Sequence, residues 1–105
     1  MQAKLLYTTF PEIQVAETIC QTLLDEKLIA CANLTPNMMS LYKWQGKTEQ
    51  ANEVAALLKT SSGKTEPLIA RLNTLHPYDT PCMMVISPEN VSVDYLSWMA
   101  NCLEP

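Results

Sequence analysis

This sequence predicts an α+β fold of the ferredoxin-like kind, a βαββαβ sandwich with a long central hairpin and an extra C-terminal helix. Three observations carry that expectation. Short apolar runs alternate with helical periodicity in the order β-α-β-β-α-β; Gln45-Gly46 separates two long strand-like arms; and the stretch from Val93 to Leu103 repeats apolar residues at helical spacing.

The first segment, Ala3 to Thr8, is short and apolar and reads as a buried strand. Thr9-Phe10-Pro11-Glu12 then supplies a hydroxyl cap, a first-turn proline and an acid near the positive end of a helix. Ala16, Ile19, Cys20, Leu23 and Leu24 form that helix's core face, with Glu17, Gln21 and Asp25 opposite. The apolar run from Leu28 to Leu34 suits a strand covered on both sides. Pro36-Asn37 marks a bend, after which Met39 to Trp44 resumes as a strand. The return strand runs from Lys47 to about Thr60. Its face of Gln50, Asn52, Val54, Ala56 and Leu58 grades from polar at the turn to apolar away from it, so the turn end should be solvated. Ser61-Ser62-Gly63 breaks the strand. Leu68, Ile69, Leu72 and Leu75 make the face of a second helix that Pro77 ends. Cys82 to Ser87 reads as the last strand, stopped by Pro88, and Leu96, Met99 and Leu103 stripe the final helix.

A length of 105 residues fits a single domain, 1–105. Each hairpin arm of about 13 residues spans roughly 43 Å at about 3.3 Å per residue. A compact domain of this size has a radius of gyration of only about 13 Å. The hairpin should therefore overhang its own domain, carrying Tyr42 and Trp44 near its tip. Overhanging strand edges are normally covered, and a second copy of the chain is the natural cover.

Composition removes several function classes. A net charge of −4 with Arg71 as the sole arginine argues against nucleic acid, whose phosphates need a basic surface. No apolar run approaches the roughly 18 residues of a membrane span, and no signal-peptide core precedes Thr8-Thr9, which points to the cytoplasm. With Gly46 and Gly63 the only glycines, neither a phosphate loop nor a dinucleotide fingerprint can be built. His76 is the only histidine, so HExxH and three-histidine zinc sites are excluded, and no GxSxG accompanies it for a hydrolytic triad. The expectation is a binding protein and not an enzyme.

Metal chemistry and ligand binding remain. Cys31, His76 and Cys82 are soft and borderline donors suited to copper or zinc. The second and last strands of this topology can approach the end of the second helix. Equally, Cys31 and Cys82 can be core thiols and His76 a helix-end residue bonded to backbone, because their spacing matches no diagnostic ligand motif. Cys20 and Cys102 fall on helical faces and read as packing thiols.

Several segments together resemble the CutA divalent-ion tolerance family. They are Glu26-Lys27-Leu28-Ile29-Ala30-Cys31-Ala32-Asn33, Leu41-Tyr42-Lys43-Trp44-Gln45-Gly46-Lys47-Thr48-Glu49, Leu58-Lys59-Thr60, His76-Pro77-Tyr78-Asp79-Thr80-Pro81 and Asp94-Tyr95-Leu96-Ser97-Trp98. Each alone is weak; the set, in order over nearly the whole chain, is specific. The resemblance implies a tight homotrimer with the hairpin pairing across subunits. It also implies tolerance to divalent cations, copper above all, with a metal site near Cys31 and His76. The family usually carries Glu directly after the HPYxTP segment, where this chain has Cys82. A thiol there favours Cu(I) or zinc over harder ions.

The family is also similar to PII signalling proteins in fold and trimeric form. That implies a second possibility, a sensor binding an anionic small molecule in clefts between subunits. Tyr42, Trp44, Lys59, His76, Tyr78, Tyr95 and Trp98 are the residues that would line such a cleft. Tyr95 and Trp98 read first as interface packing. Lys59, ending a largely buried strand, needs a partner in Glu53 or in the ligand. A third possibility is a structural trimer scaffold without a ligand.

Overall fold

The computed structural model describes residues 1–105. Strand β1 (Ala3–Phe10) leads into helix α1 (Ile13–Asp25), followed by β2 (Cys31–Trp44) and β3 (Lys47–Ser61). A 3-10 turn at Ser62–Lys64 opens α2 (Thr65–Leu75), then come β4 (Met84–Ile86) and α3 (Val93–Leu103). The four strands form one antiparallel sheet in the order β2-β3-β1-β4. This is the ferredoxin-like α+β arrangement the sequence predicts.

Burial divides the sheet into two faces. Leu6, Phe10, Val54, Ala56 and Leu58 point to the side of α1 and α2 and join Ala16, Ile19, Cys20, Leu23, Leu68 and Leu72 in the main core. The polar-to-apolar gradient along β3 holds, since Gln50 and Asn52 are exposed while Val54, Ala56 and Leu58 are buried. The opposite face carries the alternate residues, and α3 covers only one end of it. There Ala3, Ala30, Met99 and Leu103 form a small second core. Beyond α3 the face stays open. Leu57 is 37% exposed and lies opposite Tyr7, and Met84 and Ile86 on β4 are more exposed still.

Four local expectations need correction. β1 runs two residues further than Thr8, because Thr9 and Phe10 go on pairing with Ala55 and Val54. Thr9 is therefore a buried strand residue and not a helix cap; Glu12 takes the cap position without a side-chain bond. The second strand starts at Cys31, since Leu28 closes the end of α1. Lys27 adopts φ 59°, and the N–H groups of Lys27 and Leu28 return to the carbonyls of Leu24 and Leu23 in a Schellman close. β4 is only Met84–Ile86, shorter than the expected Cys82–Ser87. The segment before it contains Pro77 and Pro81, which lack donors and hold the chain off the ladder until Tyr7.

The fourth correction concerns Pro36-Asn37. The bend does not divide two strands; β2 is continuous, and a bulge with Asn37 at φ 61° sits inside it. Thr35 pairs with Ala55 but Met38 pairs with Glu53, so β2 spends one residue more than β3 across this step. A proline is tolerated at such a point because the ladder is already interrupted. The slip changes which side chains share a face. Below it, Cys31, Asn33 and Thr35 stand opposite Lys59, Leu57 and Ala55; above it, Met38, Ser40, Tyr42 and Trp44 stand opposite Glu53, Ala51, Glu49 and Lys47.

The hairpin closes at Gln45 (φ 51°) and Gly46 (φ 79°), a pair of left-handed residues matching the twist of a two-residue turn. From Leu41 to Gln50 every residue is exposed. The molecule measures 45 × 26 × 23 Å, with a radius of gyration of 14.4 Å against about 13 Å for a compact domain of this length. The overhang is real. No helix is long and apolar enough to cross a membrane.

Candidate functional site

The most elaborate polar arrangement lies where α2 ends. The α2 axis carries His76 onto the end of β1, where its ring stacks on Phe10 at 4.8 Å between centroids. His76 Nε2 lies 2.8 Å from the Thr9 carbonyl oxygen, and the Tyr78 backbone N–H donates to Nδ1 at 3.2 Å. Those two partners fix the tautomer: Nε2 carries the hydrogen and Nδ1 accepts. Burial lowers the His76 pKa, only partly opposed by the Thr9 carbonyl and by Glu53. The ring is a neutral, fully engaged structural group.

Tyr78 follows from this anchor. Its hydroxyl donates to Glu53 Oε2 at 2.7 Å. Burial would raise the Glu53 carboxyl, but the hydroxyls of Ser40, Tyr78 and Thr9 and the nearby His76 outweigh it and hold the group below the usual carboxylate range. Burial and the Glu53 carboxylate push the Tyr78 phenol well above its ordinary value. At neutral pH Glu53 is an anion and Tyr78 a neutral donor.

Between this loop and the overhanging hairpin lies a groove of about 880 Å³. Tyr42, Trp44 and Tyr78 give it aromatic walls; Glu49, Glu53 and Asp79 give it carboxylates; Thr9, Pro77 and Cys82 complete its inner end. No lysine, arginine or histidine lines it.

The sequence-derived candidates thus fall into separate places. Tyr42, Trp44, Tyr78 and Cys82 share the groove, with His76 behind it. Lys59, Tyr95 and Trp98 form another cluster, beneath α3. Lys59 Nζ donates to Tyr95 Oη at 3.1 Å and stands 5.1 Å from the ring centroid, while Tyr95 and Trp98 rings lie 5.4 Å apart. The Tyr95 bond raises the Lys59 pKa, so the lysine keeps its charge. Its partner is Tyr95, not Glu53.

Cys31 belongs to that second neighbourhood, opposite Lys59. Lys59 is in register with Leu5, whereas His76 is bound to Thr9. Four residues of strand separate those levels, about 13 Å, with two strand spacings of about 4.8 Å across. A metal–ligand bond of about 2 Å cannot bridge that gap. Within one chain the expected set of Cys31, His76 and Cys82 is not brought together, and no three His, Cys, Asp or Glu groups are placed to hold a metal. All four cysteines are free, and burial pushes the Cys20 thiol up to about 11.

Sequence reading overlooked Thr9, Glu49, Glu53 and Asp79 in the groove. For β3 the signal was present in the other alternation, Glu49, Ala51, Glu53, Ala55, Leu57, Lys59, the face away from the helices.

The site has a pH signature. A folded His76 pKa below about 6.5 means that acid protonates the unfolded chain first, so its contribution is present above about 6.5 and lost as pH falls towards the folded value. Glu53, also lowered, loses its contribution as pH falls below about 4.3. Because His76 is the sole histidine, urea midpoints should decline between pH 7 and 5 in the parent but not in His76→Asn, with a further decline in both below pH 4.3. Equal slopes in the two proteins between pH 7 and 5 would contradict the buried neutral ring.

Comparison with known proteins yields a consistent match. Residues 4–102 match the family model described as CutA1 divalent ion tolerance protein. A divalent-cation tolerance protein CutA of Pyrococcus horikoshii is 46% identical over 95 residues, covering 90% of this chain and 92% of the relative. The crystal structure of the divalent ion tolerance protein CutA1 from Ehrlichia chaffeensis superposes with a TM-score of 0.96 at 36% identity, over 99% of this chain and 97% of that one. The periplasmic divalent cation tolerance protein CutA of Archaeoglobus fulgidus gives 0.93 at 35% identity, over 97% and 99%.

Proposed function

The chain belongs to the CutA1 divalent ion tolerance protein family, and from that premise we propose that it is a copper-binding homotrimer acting in tolerance of divalent cations. The observation that carries the assembly is the open sheet face. Tyr7, Leu57, Met84 and Ile86 form a connected apolar surface that α3 leaves bare, continuous with strand arms that have outrun their own domain. Exposed apolar face and exposed strand edge together are what a neighbouring copy covers.

Copper is the cation we assign, with zinc second, because the chain carries partly accessible soft donors, among them the thiols of Cys31 and Cys82. His76 would have to give up both Thr9 and Tyr78 to serve. Each thiol stands alone in its own chain, so a stable copper site draws ligands from more than one copy. Four free thiols fit a reducing compartment, and we take the cytoplasm as the site of action, although one relative is described as periplasmic.

The test joins mass and metal. Light scattering should give three times 11.8 kDa, and elemental analysis after copper exposure and desalting should give about one copper per chain, lost in Cys31→Ser. An 11.8 kDa particle would refute the assembly. A trimer without copper would refute the metal assignment and favour the reading as a PII-like small-molecule sensor.

A further inference from the structure

We propose that the groove between the hairpin and the Pro77–Cys82 loop is a binding site for a small organic cation of the alkylammonium class. This goes beyond metal tolerance, because it assigns a ligand class to a different place from Cys31. It also reverses the charge expected of a cleft ligand. Lys59, the cation that would have met an anion, is held by Tyr95 under α3 and does not line the groove.

The chemistry of the walls is directional. Tyr42, Trp44 and Tyr78 line the groove, and the face of an aromatic ring attracts a cation held within about 6 Å and gives an anion nothing. Glu49, Glu53 and Asp79 add three carboxylates, and no basic side chain in the lining neutralises them. One of these carboxylates is fixed in position. Glu53 is half-buried on β3 and held by the Tyr78 hydroxyl, itself part of a segment anchored through His76 to Thr9 and Phe10. A positioned anion beside aromatic walls discriminates an ammonium from a neutral molecule of the same shape.

Size agrees as well. About 880 Å³ lies within the roughly 300–1,000 Å³ of ordinary small-molecule sites and far exceeds what a bare metal ion needs. The bulge at Pro36-Asn37 is what makes the composition possible. It brings Tyr42 to the side of Glu49, and Trp44 two residues beyond, on the same face as Glu53.

Choline and its uncharged isostere 3,3-dimethylbutanol are suitable probes, used on metal-stripped protein whose mass is measured by light scattering in the same sample. In a Trp98→Phe background Trp44 is the only tryptophan and reports on the groove. Choline should change Trp44 emission saturably, the isostere should need at least tenfold more, and Glu53→Gln should weaken choline by about tenfold. Glutamine still accepts from Tyr78, so this variant keeps the fold. Equal midpoints for choline and the isostere would overturn the proposal, as would a Glu53→Gln titration indistinguishable from the parent. A blue-shifted, unresponsive Trp44 in assembled protein would overturn it too, since a neighbouring copy would then fill the groove. Failure in a sample that still scatters as a trimer leaves the proposed assembly standing, so the two readings fail separately.

Discussion

Leu57→Glu should convert the assembled protein into folded monomers of 11.8 kDa. Leu57 sits mid-way along β3 on the face away from α1 and α2, between Tyr7 and Asn33. At 37% exposure in the single chain, it can carry a carboxylate into water without disturbing the main core. In an oligomer that covers this face, each copy would bury an unpaired charge at a cost of several kcal/mol. Three copies multiply that penalty. Light scattering with far-ultraviolet circular dichroism reads the outcome: native secondary structure at one-third of the parent mass. A trimer that survives the substitution would mean that the hairpin edges, and not the sheet face, hold the copies together.

The second large effect is expected at His76. His76→Ala should destabilise each subunit by about 3–5 kcal/mol, the range for removing a large buried ring. Part of that is lost stacking on Phe10; part is the Thr9 carbonyl left without a donor, for which about 1–3 kcal/mol is usual. At about 4–8 °C per kcal/mol for a domain of this size, the melting temperature should fall by more than about 12 °C. His76→Asn, which can replace one hydrogen bond, should fall less. Copper retained per folded chain should stay unchanged in both, because Cys31 lies at the far end of the sheet. Copper loss at full stability would instead make His76 a ligand and undo the structural role derived for it.

Sequence reading recovered the order of elements because that order is written in the core. Val54, Ala56 and Leu58 of β3 and the helical stripes of α1 and α2 alternate at the periods their structures demand, and all of them form the main core or pack against it. Boundaries fared worse where tertiary pairing overrode local signals. Thr9 has a cap's chemistry, yet the ladder to Ala55 claims it. The candidate site was legible only in pieces. Tyr42, Trp44 and Tyr78 could be named from aromatic character, but which of them meet depends on a register step, and residue types do not encode a register step. The separation of Cys31 from His76 has the same origin: donors were matched by chemistry, while the sheet set them four residues apart along β1 and two strands across.

The bulge in β2 also bears on how this molecule can change over time. A substitution in the hairpin alters one side chain, but flattening the bulge between Thr35 and Met38 with every residue kept would slide the outer arm of β2 by one position against β3 and turn it over. Asn37, Met39, Leu41 and Lys43 would then stand opposite Glu53, Ala51, Glu49 and Lys47, where Met38, Ser40, Tyr42 and Trp44 now do. The bulge is thus what keeps Tyr42 and Trp44, and not Leu41 and Lys43, on the face of Glu49 and Glu53, making this the point where related chains can part in binding while remaining alike in fold.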